Sequence, residues 1–347
     1  MQTLPQLFRL RVCHPIFKNN PTLFFGEITM KNKFIETETV MINLSHYGLI
    51  RFAGNDALSF LQNQLSCDMR EVNHEKALYG SYCTPQGRVL TSFLIWQHEN
   101  DYFMQLPASL ITALTKRLAL YILRAKVQLI DVTDAFVRIG VVGSEAAILI
   151  EKITGLPYNS DKPLQIKHNK KISIIYFSQQ YIELITSTED APPLWEYLNQ
   201  HGKLANINLW DWLNIQSAIP VILPETQEMF LPQMINLDAI GGISFKKGCY
   251  PGQEIVARTQ YLGKLKRRMY LAHVATADTI KPGDPLYSCD MNHQSSGNIV
   301  NIAPSPYGDF DVLAVIQQSS VETCEIHWQS LQGPSLQIKP LPYPLPA

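Results

Sequence analysis

A chain of 347 residues is too long for one ordinary domain and calls for two or three. With 46% hydrophobic and 17% charged residues it has the balance of a globular protein with a sizeable core. Its formal net charge of -1 supplies no global field toward nucleic acid or membrane, so any such attraction must come from a local patch. The six cysteines, at 13, 67, 83, 249, 289 and 324, include no CxxC pair, which argues against a zinc ligand set or a disulfide framework. Inert thiols in a reducing cytosol are expected for all but Cys249. No apolar run approaches the ~20 residues that cross a bilayer, so a cytoplasmic protein without membrane contact is expected.

Residues 1–35 read as a disordered extension, interrupted by Pro5, Pro15 and Pro21. From Ile42 the pattern becomes ordered. Leu49 to Phe52 reads as a strand, Gly54-Asn55-Asp56 as a turn that caps a helix, and Leu58, Leu61 and Leu65 as one helical stripe. Tyr79 to Cys83 and Val89 to Trp96 form hairpin strands around Pro85-Gln86-Gly87. A helix follows with Leu110, Leu114, Leu118, Tyr121 and Ile122 on its inner face, and Lys116, Arg117 and Arg124 on solvated faces.

The middle of the chain has the rhythm of a split βαβ unit. Val137 to Val142 is a strand, Ser144 opens a helix that ends at Gly155, and Ile172 to Phe177 and Tyr181 to Thr186 are strands. Pro192-Pro193 then opens a helix closed by Gly202. After Tyr270 short apolar runs alternate with turns such as Pro282-Gly283-Asp284-Pro285, the pattern of a small all-β module.

Residues 238–270 differ from the rest. Gly241-Gly242, Gly248 and Gly252 crowd around Cys249, which lies beside Lys246, Lys247 and Tyr250 and just ahead of a helix opened by Pro251. A thiol beside two ammonium groups and a helix N-terminus is expected to ionise readily and act as a nucleophile or soft ligand. An inert cysteine in a packed turn fits the same residues. Arg258, Lys264, Lys266, Arg267 and Arg268 form a basic run without an acid. It reads either as a solvated loop or as a patch for a polyanion, such as RNA or the glutamate tail of a folate.

Phe230-Leu231-Pro232-Gln233, Asn236-Leu237 and the unbroken Gly241-Gly242-Ile243-Ser244-Phe245-Lys246-Lys247-Gly248-Cys249-Tyr250-Pro251-Gly252-Gln253-Glu254, followed by Arg258, resemble the signature region of the YgfZ family. Gly54 to Asp68 and Gln86-Gly87-Arg88 resemble the N-terminal part of the wider family that includes the aminomethyltransferase (T-protein) of glycine cleavage. The resemblance implies an α+β, aminomethyltransferase-like three-domain fold. Residues 36–130 with 205–265 would form a discontinuous folate-binding domain, 131–204 a ferredoxin-like unit, and 266–340 a small β-barrel.

It further implies a tetrahydrofolate-type ligand and support of iron–sulphur enzymes, and through them tRNA thiolation. Cys249 would supply a thiolate whose pKa Lys247 lowers, with Gly248, Gly252 and Gln253 as motif backbone. Glu254 and Arg258 would shape the pocket, while Tyr47, at a position the family fills with tryptophan, and Trp210 would stack on the pterin. From the residues alone, Trp210 reads equally as core packing on an amphipathic helix. Aminomethyltransferases carry an acidic pair just after the glycine turn, whereas this chain reads Arg88-Val89-Leu90-Thr91-Ser92. Folate binding without aminomethyl transfer is therefore expected. A one-carbon transferase, or an RNA-binding module using 258–268, is the rival reading. A monomer with no metal site and little direct nucleic-acid binding is expected, with iron–sulphur enzymes as candidate partners.

Overall fold

The computed structural model describes residues 38–158, 164–261, 263 and 265–346. The expected extension over 1–35, Cys13 and Lys264 lie outside them.

Three sheets organise the described residues. The first runs in the order Leu78–Cys83, Val89–His98, Asp101–Pro107, Tyr47–Ala53, Gln128–Asp131, all antiparallel. Helices Ala57–Gln64 and Ala108–Ala119 pack Leu61, Leu110, Ile111, Leu114 and Leu118 into one apolar cluster with Ile50, Phe52, Ile95 and Met104 of that sheet. The second helix stops at Ala119, so Tyr121, expected on its inner face, turns outward and is 45% exposed.

The middle unit follows the expected order: Phe136–Val142, helix Ala146–Thr154, Ile172–Ser178, Tyr181–Ser187, helix Ala191–His201. Gly155 ends the first helix in the left-handed region, with φ 69°. Its sheet is larger than the pattern suggested, in the order Lys203–Ala205, Val40–Asn43, Phe136–Val142, Tyr181–Ser187, Ile172–Ser178, Gln165–His168. Val40–Asn43, placed by sequence with the first domain, is hydrogen-bonded inside this sheet, antiparallel to Phe136–Val142 and parallel to Lys203–Ala205. Residues this short and this distant in sequence carry no local signal of their pairing.

The third sheet, in the order His327–Trp328, Pro285–Tyr287, Ser295–Pro304, Phe310–Gln317, Arg267–Val274, Leu336–Lys339, curls into a half-barrel. Its two edges meet through Trp328 N–H to Pro334 O (2.9 Å) and Leu336 N–H to Ile326 O (2.8 Å). Cys289 and Cys324 are joined in a disulfide across this unit, with Cα atoms 6.1 Å apart, which corrects the expectation of free thiols there. Cys67 and Cys83 are buried free thiols as expected.

Helix Ile207–Gln216 ties the units together. Trp212 donates its indole N–H to Asp311 (2.8 Å) and Gln216 adds a second bond to the same oxygen (2.9 Å). His273 and Lys339 hold the other carboxylate oxygen at 2.9 Å and 2.7 Å. Asp311 is fully buried. Burial alone would raise its pKa, but Lys339, Trp212 and His273 outweigh it and hold the pKa below the usual carboxylate value. Removing this carboxylate leaves the buried Trp212 indole N–H without its acceptor and the partly exposed Lys339 ammonium without its partner, so Asp311→Ala is expected to cost about 2–3 kcal/mol in urea unfolding. A loss below about 1 kcal/mol would show that the four bonds do not hold helix and half-barrel together.

Candidate functional site

Two places in the fold carry chemistry, and they are distinct. The first is a narrow cleft between the first two sheets and helix Ile207–Gln216, with a cavity volume of about 40 Å³ and close-set walls. Tyr47 and Trp210, singled out from the sequence, both line it. Trp210 lies against the backbone of Gly140, where a Cβ would stand 2.4 Å from Cζ3 of the indole. Its edge meets Tyr181 at 4.4 Å and Phe177 at 5.8 Å between ring centroids. Tyr47 is fixed by its hydroxyl: Asn214 donates Nδ2–H to it (3.1 Å) while accepting from the Tyr181 hydroxyl (3.0 Å).

The polar group in this aromatic cleft was not anticipated. Glu183, from the middle of strand Tyr181–Ser187, is 0% exposed and lines the cleft with Gln105 and Tyr79. Gln105 donates Nε2–H to one carboxylate oxygen (3.0 Å). Glu183 Oε1, Gln105 Oε1 and the Tyr79 hydroxyl have no hydrogen-bond partner among the described residues. Burial pushes the Glu183 pKa up to about 7, against the pull of Gln105 and Arg138. Buried polar atoms are normally paired, so three orphans in one cleft mark a place that receives hydrogen bonds from outside. A lone acid in the apolar run Tyr181-Ile182-Glu183-Leu184-Ile185 was the sequence signal that could have found it.

The second place is the segment around Cys249, whose thiol is exposed. Lys247, expected to lower the pKa of the Cys249 thiol, turns inward. It is 6% exposed, donates from Nζ to the carbonyls of Leu65 and Cys67 (2.7 Å each), and lies 5.4 Å from the Tyr250 ring centroid. Burial lowers its pKa to about 8. Its ammonium anchors the loop to the end of helix Ala57–Gln64.

Ser66 anchors the same loop further back, donating its hydroxyl to Gly242 O (2.6 Å) and accepting Ser244 N–H at its carbonyl (2.9 Å). The hydroxyl also accepts Ser81 N–H (2.8 Å). Gly252, with φ 83°, presses on the turn of Gly87: a Cβ would stand 2.5 Å from Thr84 O and 2.6 Å from Gly87 Cα. Gly248 has open space around its missing Cβ, so packing does not require a glycine there. Glu254 and Arg258 are exposed on helix Gln253–Tyr261, one turn apart. Gln253 makes a long bond to Lys247 O (3.4 Å).

Cys249, Lys247, Glu254 and Arg258 are not among the residues lining the aromatic cleft. The basic run also breaks up: Arg268 is buried in an ion pair with Asp238 (2.7 Å), and Arg267 bonds Ser295 O (3.3 Å). The Arg88 to Ser92 stretch brings no carboxylate; Arg88 bonds Met229 O and Ser92 bonds Pro220 O (2.8 Å each). Among the described residues no three metal-ligating side chains converge, and no helix is long and apolar enough to cross a membrane.

With this geometry in place, comparison with known proteins decides the family. The GCVT N-terminal domain model matches residues 16–240. The tRNA-modifying protein YgfZ of Yersinia enterocolitica is 30% identical over 315 residues, 89% of this chain and 94% of the relative. That of Colwellia psychrerythraea is 31% identical over 239 residues, 67% of this chain and 71% of the relative. The chain belongs to the YgfZ family. The crystal structure of glycine cleavage system aminomethyltransferase T from Bartonella henselae superposes with a TM-score of 0.71 at 17% identity, covering 92% of this chain and 89% of that one. The YgfZ chain thus has the α+β aminomethyltransferase fold.

Within the YgfZ signature the glycines separate by role. Gly252→Ala places a side chain on backbone at a positive φ and is expected to cost about 2 kcal/mol or more. Gly248→Ala should stay within about 0.5 kcal/mol of wild type. Urea midpoints of the two variants check the contrast, and equal losses would refute it.

Proposed function

We propose that the aromatic cleft binds tetrahydrofolate or a derivative. The observation that carries this is the set of orphaned acceptors, Glu183 Oε1 and Gln105 Oε1, framed by the faces of Tyr47 and Trp210. A pterin is flat and offers adjacent N–H donors on one edge, which match two acceptors set between aromatic walls. The chemistry of the lining matches the group, and its close-set walls would have to part to admit it: Glu183 and Gln105 would hold its donor edge, while Tyr47 and Trp210 would cover its faces. Bound folate would supply a one-carbon carrier. The chain's own contribution would be to orient it and exclude water.

Aminomethyl transfer is not part of the reading. The stretch after Gly87 supplies no carboxylate, and the exposed thiol of Cys249 stands outside the cleft lining. We infer a folate-binding accessory protein that supports iron–sulphur enzymes and, through them, tRNA modification, with Cys249 as the thiol that meets the client. The names of the Yersinia and Colwellia relatives, tRNA-modifying protein YgfZ, support the tRNA link. Complementation of a bacterial strain that lacks its own homologue tests the thiol. Wild type should restore tRNA thiolation and Cys249→Ala should not; full restoration by Cys249→Ala removes Cys249 from the function.

Titration with tetrahydrofolate tests the cleft. Trp210→Phe should weaken binding by about tenfold through lost stacking area, and Glu183→Gln by about tenfold or more through loss of a charged acceptor. Wild-type affinity should rise as pH increases through about 7, where Glu183 ionises. Stability should move the other way. The folded state holds this proton up to about pH 7 and the unfolded chain only to 4.5, so the folded state binds more protons between them and loses stability as pH rises. By about pH 8 that loss amounts to roughly 3 kcal/mol. Glu183→Gln should therefore be more stable than wild type at about pH 8 yet bind less folate, and a variant that loses both stability and binding would contradict this role.

A further inference from the structure

We propose that the turn after helix Ala108–Ala119 is an RNA-contacting surface; this rests on the tRNA-directed reading above and gives it a physical partner. Three large apolar side chains stand out of the fold here: Leu120 is 72% exposed, Tyr121 45% and Leu123 88%. Leu123 is held at φ 46°, in the left-handed region that a branched side chain avoids without cause. Exposed leucines scattered singly need no explanation, but three such side chains within four residues of one turn do.

Charge surrounds them with one sign. Between Asp101 and Asp131 the sequence contains no acid, while Lys116, Arg117, Arg124 and Lys126 all fall in that interval. Lys116, Arg124 and Lys126 are exposed, and no described residue forms an ion pair with them. Asp56, which lies against this turn, is engaged by the Lys126 backbone N–H (2.7 Å). Arg117 is held at the Tyr82 hydroxyl, close to Tyr121. Of the basic run at 258–268, Arg267 and Arg268 are spent in internal contacts while Arg258 and Lys266 stay exposed, so this turn is a second place, apart from that run, where exposed cations and open apolar faces coincide.

A polyanion whose exposed rings are themselves apolar matches both properties. Unpaired bases of an RNA loop stack on aromatic faces and cover aliphatic ones, and the flanking phosphates pair with lysine and arginine. The surface lies at a helix end and its turn, with side chains that reach out to cover unpaired bases, so it suits a loop or bulge.

Binding of an unmodified tRNA transcript, followed by fluorescence anisotropy on the full chain, tests this. Affinity should fall on the order of 50-fold between about 50 mM and about 200 mM salt, as expected for up to four phosphate contacts. The double variant Lys116→Glu, Arg124→Glu should abolish binding at about 50 mM salt, and Tyr121→Ala should weaken it about tenfold with a smaller change in salt slope. All three positions are exposed, so the fold should persist, as circular dichroism and the tetrahydrofolate titration on the same samples will show. Absence of salt-sensitive binding, or equal binding by wild type and the double variant, overturns the proposal. So does binding of phosphatidylglycerol vesicles in place of tRNA. Loss of folate binding alone would count against the cleft reading and leave this one standing.

Discussion

Helix Ile207–Gln216 is apolar on nearly every side, and a helix of that kind is stable only when surrounded. The fold answers by packing all three units around it. Trp210 faces the middle sheet across the bare backbone of Gly140, Trp212 reaches the half-barrel through Asp311, and Asn214 fastens Tyr47 of the first sheet. The cleft exists because these contacts leave a gap between the units that no side chain fills. Its aromatic walls are consequently also structural walls, and Trp210 both packs the units together and lines the cleft. The core-packing reading of that residue from sequence is what its buried indole bears out.

The signature loop has a different logic. Its conformation is set by close backbone approach at Gly252 and by two buried anchors, Lys247 and Ser66, rather than by an apolar core of its own. Lys247 illustrates how a motif misleads when read locally. Beside a cysteine in sequence, its ammonium turns inward to satisfy two carbonyls at the end of a helix, where helices regularly leave acceptors unpaired. What remains at the surface is the thiol, Lys246 and Gly248.

Much of the architecture was legible in the sequence because it rests on local periodicity. The middle unit, with its helices closed by Gly155 and Gly202, follows from alternation, proline and glycine alone. What escaped was non-local. Val40–Asn43 joins the middle sheet through partners about a hundred or more residues away, and Cys289 meets Cys324 across 35 residues without a spacing motif. At the site, Tyr47 and Trp210 were found through the family pattern. Glu183 was passed over, because one acid inside a strand is ordinarily a solvated face, and only burial shows otherwise.

The anchor at Ser66 has a consequence for how the two sites communicate. Leu237 and Ile240 form part of the cleft wall, and the same stretch of chain continues to Cys249. Between them the backbone is clamped at Gly242 and Ser244 onto a fully buried serine that is itself bonded to the first sheet. This clamp fixes the chain midway between the cleft wall and the thiol. The cleft wall and the thiol segment are therefore both referred to one fixed point of the first sheet, although neither touches the other's lining.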